Sequence, residues 1–494
     1  MEKFLSYIIF LPLVVAVVLG LFRVPLKVVK TGALISSAVI LGMVCLLIAN
    51  FDPSLGMQFV RIAPWIKSYG ITYFVGVDAI SLVILFLISL LMFLLYLYMW
   101  DEKQKGYWYN MLLLQTGVTG ALLSLDLILF YLFWETMLLP IFILIGRYGH
   151  EYSLNSFNAM KIILMTVMGS MSMLLAILYI GYRFFEKNGF WSFALNDLSS
   201  LSLDPTASVW LVGGFLLAFA IKIPLVGFHT WMAPAYSSSP TPSTVILSAI
   251  MAKLGIYGLW RFGYELFERT LDYYAPFIIA LAVIGVVFYA IHAIMEDNLK
   301  RMFAFSSGAH LSMIALGLFL TNIYAWSGSL YLIATHALAS GGIFIMIGFL
   351  AKRIKTVSIK ELGGIASSAP KFAFFFLFFA LCIAGVPSTG GFVGELLIII
   401  GAFKHHIFLG FFASLSMLGS IMYLFWMMQR VLYSKVKKAT VGFEDLNIKE
   451  IFILLPLALL LLISGLAPSL FTPLFDPQLN AMLKEVALKV GGTL

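Results

Sequence analysis

Apolar segments about twenty residues long follow one another through almost the whole of this 494-residue chain, and they constrain its fold more than any motif does. A hydrocarbon layer about 30 Å thick needs roughly 20 apolar residues of helix to cross it. Inside lipid only helices or closed barrels satisfy every backbone N–H and C=O. Fourteen such segments are read: 4–22, 31–49, 78–99, 109–125, 127–147, 158–181, 208–236, 243–262, 275–295, 302–320, 326–350, 372–403, 407–429 and 451–471. Hydrophobic residues make up 62% of the chain and charged residues 11%, more apolar surface than a soluble domain hides. The expected fold class is therefore an all-α polytopic membrane protein with about 14 transmembrane helices. The first segment follows Glu2 and Lys3 but lacks a small-residue cleavage site, so it reads as a span and not as a removed signal. Asp126 marks a tight turn between the fourth and fifth segments. The longest loops, 51–77, 182–207 and 351–371, are too short for a soluble domain.

Charge sets the orientation. Loops after odd-numbered spans carry 18 Lys and Arg, whereas the termini and the remaining loops carry 10. The excess places the odd loops in the cytoplasm of a bacterial-type inner membrane and both termini outside. The same reasoning accounts for the net charge of +8 without nucleic acid, since the basic residues sit in short loops. The two cysteines, Cys45 and Cys382, lie in separate apolar spans and suggest neither a disulfide nor a metal site. No glycine-rich turn after a strand and no Walker loop occurs, so nothing here binds a nucleotide or carries electrons.

Two spans are too long to cross as single helices. Residues 209–236 would reach about 42 Å and residues 372–403 about 48 Å at ~1.5 Å per residue. The first contains Pro224, which donates no backbone hydrogen bond and clashes with the preceding turn. The second contains Gly385-Val-Pro-Ser-Thr-Gly-Gly391, which a straight helix disfavours. Five-span blocks ending at the eighth and thirteenth helices each place the broken helix fourth. Five is odd, so the expected repeats are inverted. The implied division is 1–106 for the first three spans, 107–270 and 271–435 for the repeats (broken helices 208–236 and 372–403), and 436–494 for the last span and tail.

Six ionisable residues lie deep in these spans: Glu135, Lys222, Lys253, His310, His336 and Glu395. A lysine at mid-membrane costs roughly 2.5–3.5 kcal/mol even on the gentlest scales. Their shared depth fits a polar row running sideways through the bilayer centre better than a pore along its normal. Buried Lys and Glu titrate nearer neutrality, in a way that depends on a neighbour's charge, and histidine already titrates near pH ~6.5, so such a row can load and release protons. Each residue also has a plainer reading. Glu135 and Lys222 can form an inert ion pair, and either histidine can be a helix contact. His229, just after the first break, either lines an access path or satisfies a freed carbonyl. Lys161, His292, His405 and His406 lie near span ends and are left to solvation.

Over spans four to thirteen the chain resembles the antiporter-like subunits of respiratory complex I, most of all the M type. The resemblance rests on LDLILFYLFWETMLLPIFILIG with Glu135, FAIKIPLVGFHTW with Lys222 and His229, and LSAIMAKLGIYGLWRF with Lys253. It extends to NLKRMFAFSSGAH with His310, THALASGGIFIMIG with His336 and GVPSTGGFVGE with Glu395. The resemblance implies a coupled Glu135–Lys222 pair and a central axis continued by Lys253, His310, His336 and Glu395. It also implies neighbouring L- and N-type subunits, and partner subunits that hold the NADH, FMN, iron–sulfur clusters and quinone, with no cofactor in this chain. An acidic residue at position 395 marks the M type, as the L and N types carry lysine there. The chain departs from the family at Met232-Ala-Pro-Ala-Tyr236, where Leu-Pro-Asp-Ala-His is frequent, and at Glu296-Asp-Asn298, where Gln-Thr-Asp is frequent. The leading expectation is a proton-translocating subunit of an NADH–quinone oxidoreductase. The competing readings are a subunit of a multisubunit cation/proton antiporter or membrane-bound hydrogenase, a stand-alone solute transporter, and a structural subunit with inert buried pairs.

Overall fold

The computed structural model describes residues 2–150 and 154–490. Among these, eleven helices are long and apolar enough to cross a membrane, from Lys3–Leu21 to Ile448–Leu466. Three further membrane-scale pieces fall outside that count. Lys105–Leu123 is diluted by Gln, Thr and Gly, and the halves of the second broken span, Pro370–Ile383 and Gly390–His405, are individually short. Thr241–Met295 runs as one helical stretch through the region where a loop at 263–274 was expected. The chain bends there at Phe267, whose φ of −141° leaves the helical range.

Leu299–Phe319 and Ile323–Ile354 form the centre of the bundle. The first is buried over an entire 18-residue stretch and the second nearly so, while the two N-terminal helices and Ile407–Val431 leave most of theirs uncovered. Small residues make this possible, because within lipid close backbone approach drives helix association. At Gly328 a Cβ would stand 2.7 Å from the backbone nitrogen of Ile398, and at Gly394 one would stand 2.9 Å from Leu332 Cα. The helix carrying Glu395 is thereby pressed against the helix carrying His336.

Both long spans break, by parallel means. Pro205–Lys222 stops at Lys222 and helix resumes at Met232–Ser238. The Leu225 N–H reaches back five residues to the Ala220 carbonyl at 2.9 Å. The freed Ile221 carbonyl accepts the indole N–H of Trp231 at 3.0 Å, and the Pro224 carbonyl accepts the Tyr289 hydroxyl. In the second break the Val386 N–H reaches back five residues to the Leu381 carbonyl at 3.2 Å, and Gly385 takes a φ of 65°. The fifth span loosens too. It divides into Leu127–Thr136 and Leu138–Tyr148 directly after Glu135, because Pro140 cannot donate to the Thr136 carbonyl one turn back.

Two elements arise where only loop or tail was expected. Within 51–77 an antiparallel hairpin pairs Gln58–Ile66 with Ile71–Val77, Arg61 opposite Val75 and Ala63 opposite Tyr73, and Gly70 turns the chain at φ 62°. After the last membrane helix, Asp476–Val490 forms a further helix. It lies on the hairpin's face of the molecule, where Gln478 Oε1 accepts the Ala79 N–H at 2.8 Å. The tight turn before the fifth span is set by Asp126, which accepts from the N–H groups of Ile128 and Leu129 at 3.0 and 3.1 Å and from the Thr72 N–H and hydroxyl at 3.0 Å each.

Candidate functional site

Four of the six ionisable residues form one line through the buried centre. Lys253, in Ala252–Gly258, follows a wide turn at Leu247–Met251 that loosens the helical ladder. Its Nζ donates to the Ser248 carbonyl at 2.5 Å and lies 2.8 Å from His336 Nδ1. The rings of His336 and His310 are 5.1 Å apart between centroids. His310 Nδ1 lies 2.8 Å from the Ser306 carbonyl, and Nε2 lies 2.9 Å from the Ile383 carbonyl, the one freed by the second break. The same Nε2 is 2.9 Å from Glu395 Oε1. Acceptors at both ring nitrogens suit a ring protonated on both. All four side chains are buried, and neither Glu395 oxygen has a hydrogen bond of good geometry among the described residues. The carboxylate thus rests beside the imidazole without a hydrogen bond of its own among the described residues.

The other two stand apart. Lys222 is buried at the end of the first half-helix, and its Nζ sits 4.8 Å above the ring of Trp134, a cation–π contact. Its Nζ has no hydrogen-bond partner among the described residues, and neither has Glu135 Oε1. Glu135, adjacent to Trp134 in sequence, is half-buried at the edge of the bundle. Among the described residues no direct ion pair joins Lys222 to Glu135. A small cavity lined by Lys222, Trp231, Thr166, Leu247 and Met251 separates Lys222 from the helix of Lys253. Thr166 meanwhile donates to the Ile162 carbonyl.

His229 is half-buried outside this row. Among the described residues it donates to no freed carbonyl; Trp231 and Tyr289 take those roles. Its Nδ1 instead accepts the Gly227 N–H at 3.3 Å, and its ring stands edge-on to Phe288 and Tyr289.

Sequence reasoning passed over a second buried charge cluster. Arg261 lies in a wide turn, Leu259–Gly263, two turns beyond Lys253. Its guanidinium donates to Asp78 and Glu265 and, through Nε, to the Tyr257 hydroxyl at 3.2 Å. Asp78 caps the third span through Ser81 and also accepts from Gln478 of the C-terminal helix. The signal that could have exposed it was an arginine inside the same apolar segment as Lys253.

The family profile described as NADH:quinone oxidoreductase/Mrp antiporter, TM, matches residues 124–410, which contain all six row residues. NADH-quinone oxidoreductase subunit M of Rhodobacter capsulatus is 32% identical to this chain, over 99% of this chain and 98% of its own length. The chain belongs to this family. Subunit M of Escherichia coli K12 is 31% identical over 85% of this chain and 83% of its own. Among solved structures, a chain of respiratory complex I from Thermus thermophilus superimposes with a TM-score of 0.89 at 27% identity, covering 98% of this chain and 99% of that one. A chain of the Mrp complex from a Dietzia species shares the fold at a TM-score of 0.87 and 20% identity, covering 99% of each.

Proposed function

We propose that this chain is the proton-carrying M-type membrane subunit of an NADH–quinone oxidoreductase, a translocase subunit whose own residues do no redox chemistry. The observation that supports this most is the continuous contact line Lys253–His336–His310–Glu395, buried between helices that break or widen beside it. Protons would pass along the row as neighbouring charges change, with Glu135 and Lys222 as its first pair and Glu395 as the end nearest an outward exit. NADH, FMN, iron–sulfur clusters and quinone would belong to partner subunits, with L- and N-type subunits beside this one. On this reading the chain has fourteen spans, two inverted repeats at 107–270 and 271–435, and both termini on the outer side of a bacterial inner membrane. His229 would line an access path on the flank of the first break.

The test uses the assembled complex in inverted membrane vesicles. Lys253→Met and Glu395→Gln should each lower NADH-driven proton uptake by at least on the order of tenfold at normal subunit content. Wild-type uptake in both variants would leave the row a structural feature. A cation/proton antiporter or hydrogenase subunit is the second reading, since the Mrp chain and one from a membrane-bound sulfane sulfur reductase share the fold at TM-scores of 0.87 and 0.86. Purification from native membranes separates the two by whether NADH-oxidising subunits accompany the chain.

A further inference from the structure

The two loops richest in Lys and Arg, 351–371 and 430–450, carry five each and meet on one face of the molecule. Their contact is close. Thr440 Oγ1 donates to the Gly363 carbonyl at 2.5 Å, and the Ala366 N–H donates to the Leu432 carbonyl at 3.1 Å. A Cβ at Gly363 would collide with the Lys435 carbonyl, and one at Gly364, where φ is 68°, would stand 2.8 Å from the Val436 nitrogen. Glycine lets the two segments lie this near. Between them is a cleft of about 360 Å³ lined by Lys360, Arg430, Ser434, Lys435 and Lys437. Lys437 Nζ is held there by the Lys360 carbonyl, to which it donates at 2.6 Å.

These cations lack what their neighbours have. In the same loops Arg353 pairs with Glu450 at 2.6 Å and Lys449 with Asp101 at 3.6 Å. Among the described residues none of Lys360, Arg430, Lys435 and Lys437 forms an ion pair. The acids nearby are engaged elsewhere. Glu361 accepts the Thr356 hydroxyl at 2.5 Å, and Asp445 accepts the N–H groups of Lys371 and Phe372 at 3.1 and 2.8 Å. Membrane orientation asks for positive charge in these loops, but it does not ask four cations to converge on one cleft, where they repel each other. A bound anion offsets that repulsion.

The cleft opens where the membrane helix Ile407–Val431 ends. The Arg430 guanidinium lies 3.9 Å from the centre of the Trp426 ring, and Tyr433 is exposed beside it in sequence. Trp and Tyr concentrate at the headgroup level of a bilayer. From there Phe425, Met422 and Leu418 run along one face of the helix as an exposed apolar stripe. We propose that the cleft binds the phosphate of an acidic phospholipid, whose acyl chains lie along this stripe. Arg430 supplies the paired N–H donors that suit a phosphate, and the lysines and the Ser434 hydroxyl supply the rest. A soluble anion would use the charges and leave the stripe unused. Basic pockets between membrane helices are suited to such headgroups. The Lys360 N–H also donates to Asp297 at 2.9 Å, next to the Asn298 cap of the His310 helix, so the headgroup braces the start of that helix.

The test uses the complex purified from native membranes and placed in phosphatidylcholine vesicles. One sample carries a trace of photoreactive phosphatidylglycerol and a parallel one photoreactive phosphatidylcholine. After illumination, mass spectrometry reads the label on peptides within 358–364 and 418–438. Phosphatidylglycerol should label them about fivefold or more above phosphatidylcholine. Lys360→Gln with Arg430→Gln should remove most of that excess. Lys355→Gln with Lys438→Gln takes the same charge from the same loops outside the cleft and should keep it; all four residues are exposed. Equal labelling by the two lipids in the wild-type protein needs no variant and overturns the proposal. An equal fall in both double variants also overturns it, since that is diffuse attraction to a basic face. Denaturation temperature in detergent separates the sources of phosphate. Phosphatidylglycerol should raise it in wild type and not in the cleft variant, and inorganic phosphate at equal ionic strength should leave it unchanged. A rise with inorganic phosphate as large as with the lipid assigns the cleft to a free anion and overturns the lipid site.

Discussion

Lys222 illustrates how one residue is held ready without a partner. Its charge faces the indole of Trp134, an attraction worth about 2 kcal/mol when desolvated, and Glu135 follows Trp134 in sequence. Lys222→Ala removes the positive neighbour that Glu135 responds to, so proton uptake should fall strongly while the complex still forms; normal uptake at normal subunit levels would end the coupled-pair reading. Trp134→Leu should weaken uptake less, since it removes the platform and leaves both charges. At the far end Glu395 offers a graded series beyond the glutamine variant. Glu395→Asp keeps a titratable group and should retain part of the activity. Glu395→Lys pumps partially if any titratable group suffices there, and not at all if His310, 2.9 Å away, needs an anion beside it; uptake by the two variants in vesicles decides which. The identity of these residues was legible in the sequence because charge inside an apolar run is conspicuous. Their spacing was not. Trp134 reads as one more aromatic, and nothing local says that its indole lies against Lys222.

At the scale of elements, the breaks were legible for local reasons: Pro224 and the Gly385–Gly391 stretch forbid a straight helix wherever they occur. The widened turn before Lys253 was not, because Leu-Ser-Ala-Ile-Met carries no residue that demands it. The hairpin was passed over although Gln58–Ile66 and Ile71–Val77 are rich in β-branched and aromatic residues; a search for twenty-residue apolar runs discards segments of seven to nine. The Arg261–Asp78 pair was out of reach for another reason, as 183 residues separate its members. Breaking such a buried pair from one side costs roughly 3–5 kcal/mol. Asp78→Ala should therefore lower the subunit's abundance in membranes and its denaturation temperature in detergent, more than loss of the exposed Arg183–Glu186 pair does. Close helix contact gives a second test. In Gly328→Ala the new methyl meets backbone at 2.7 and 2.9 Å, and overpacking of this kind costs about 1–3 kcal/mol. It should also push the Glu395 helix outward, so thermal stability and proton uptake should fall together.

Seen whole, the molecule keeps the middle of its polar line, His310 and His336, in the two helices that are most enclosed and surrounds them with helices whose outer faces remain apolar. Enclosure strengthens every interaction along the line and keeps bulk water from short-circuiting it. The same economy governs the hairpin's face. There Gln478, in the last helix, completes the hydrogen bonding of Asp78 from 400 positions away. Translation must therefore run 400 residues past Asp78 before the cap of the third helix is whole. A polypeptide that stalls or ends early carries an internal flag, a buried carboxylate short of one donor and an uncovered helix start, which membrane quality control can sense without any dedicated signal. A stop codon after Leu466 should accordingly yield a chain that inserts but turns over quickly, visible as a shortened pulse-chase half-life, while supplying residues 467–494 as a separate peptide should lengthen it.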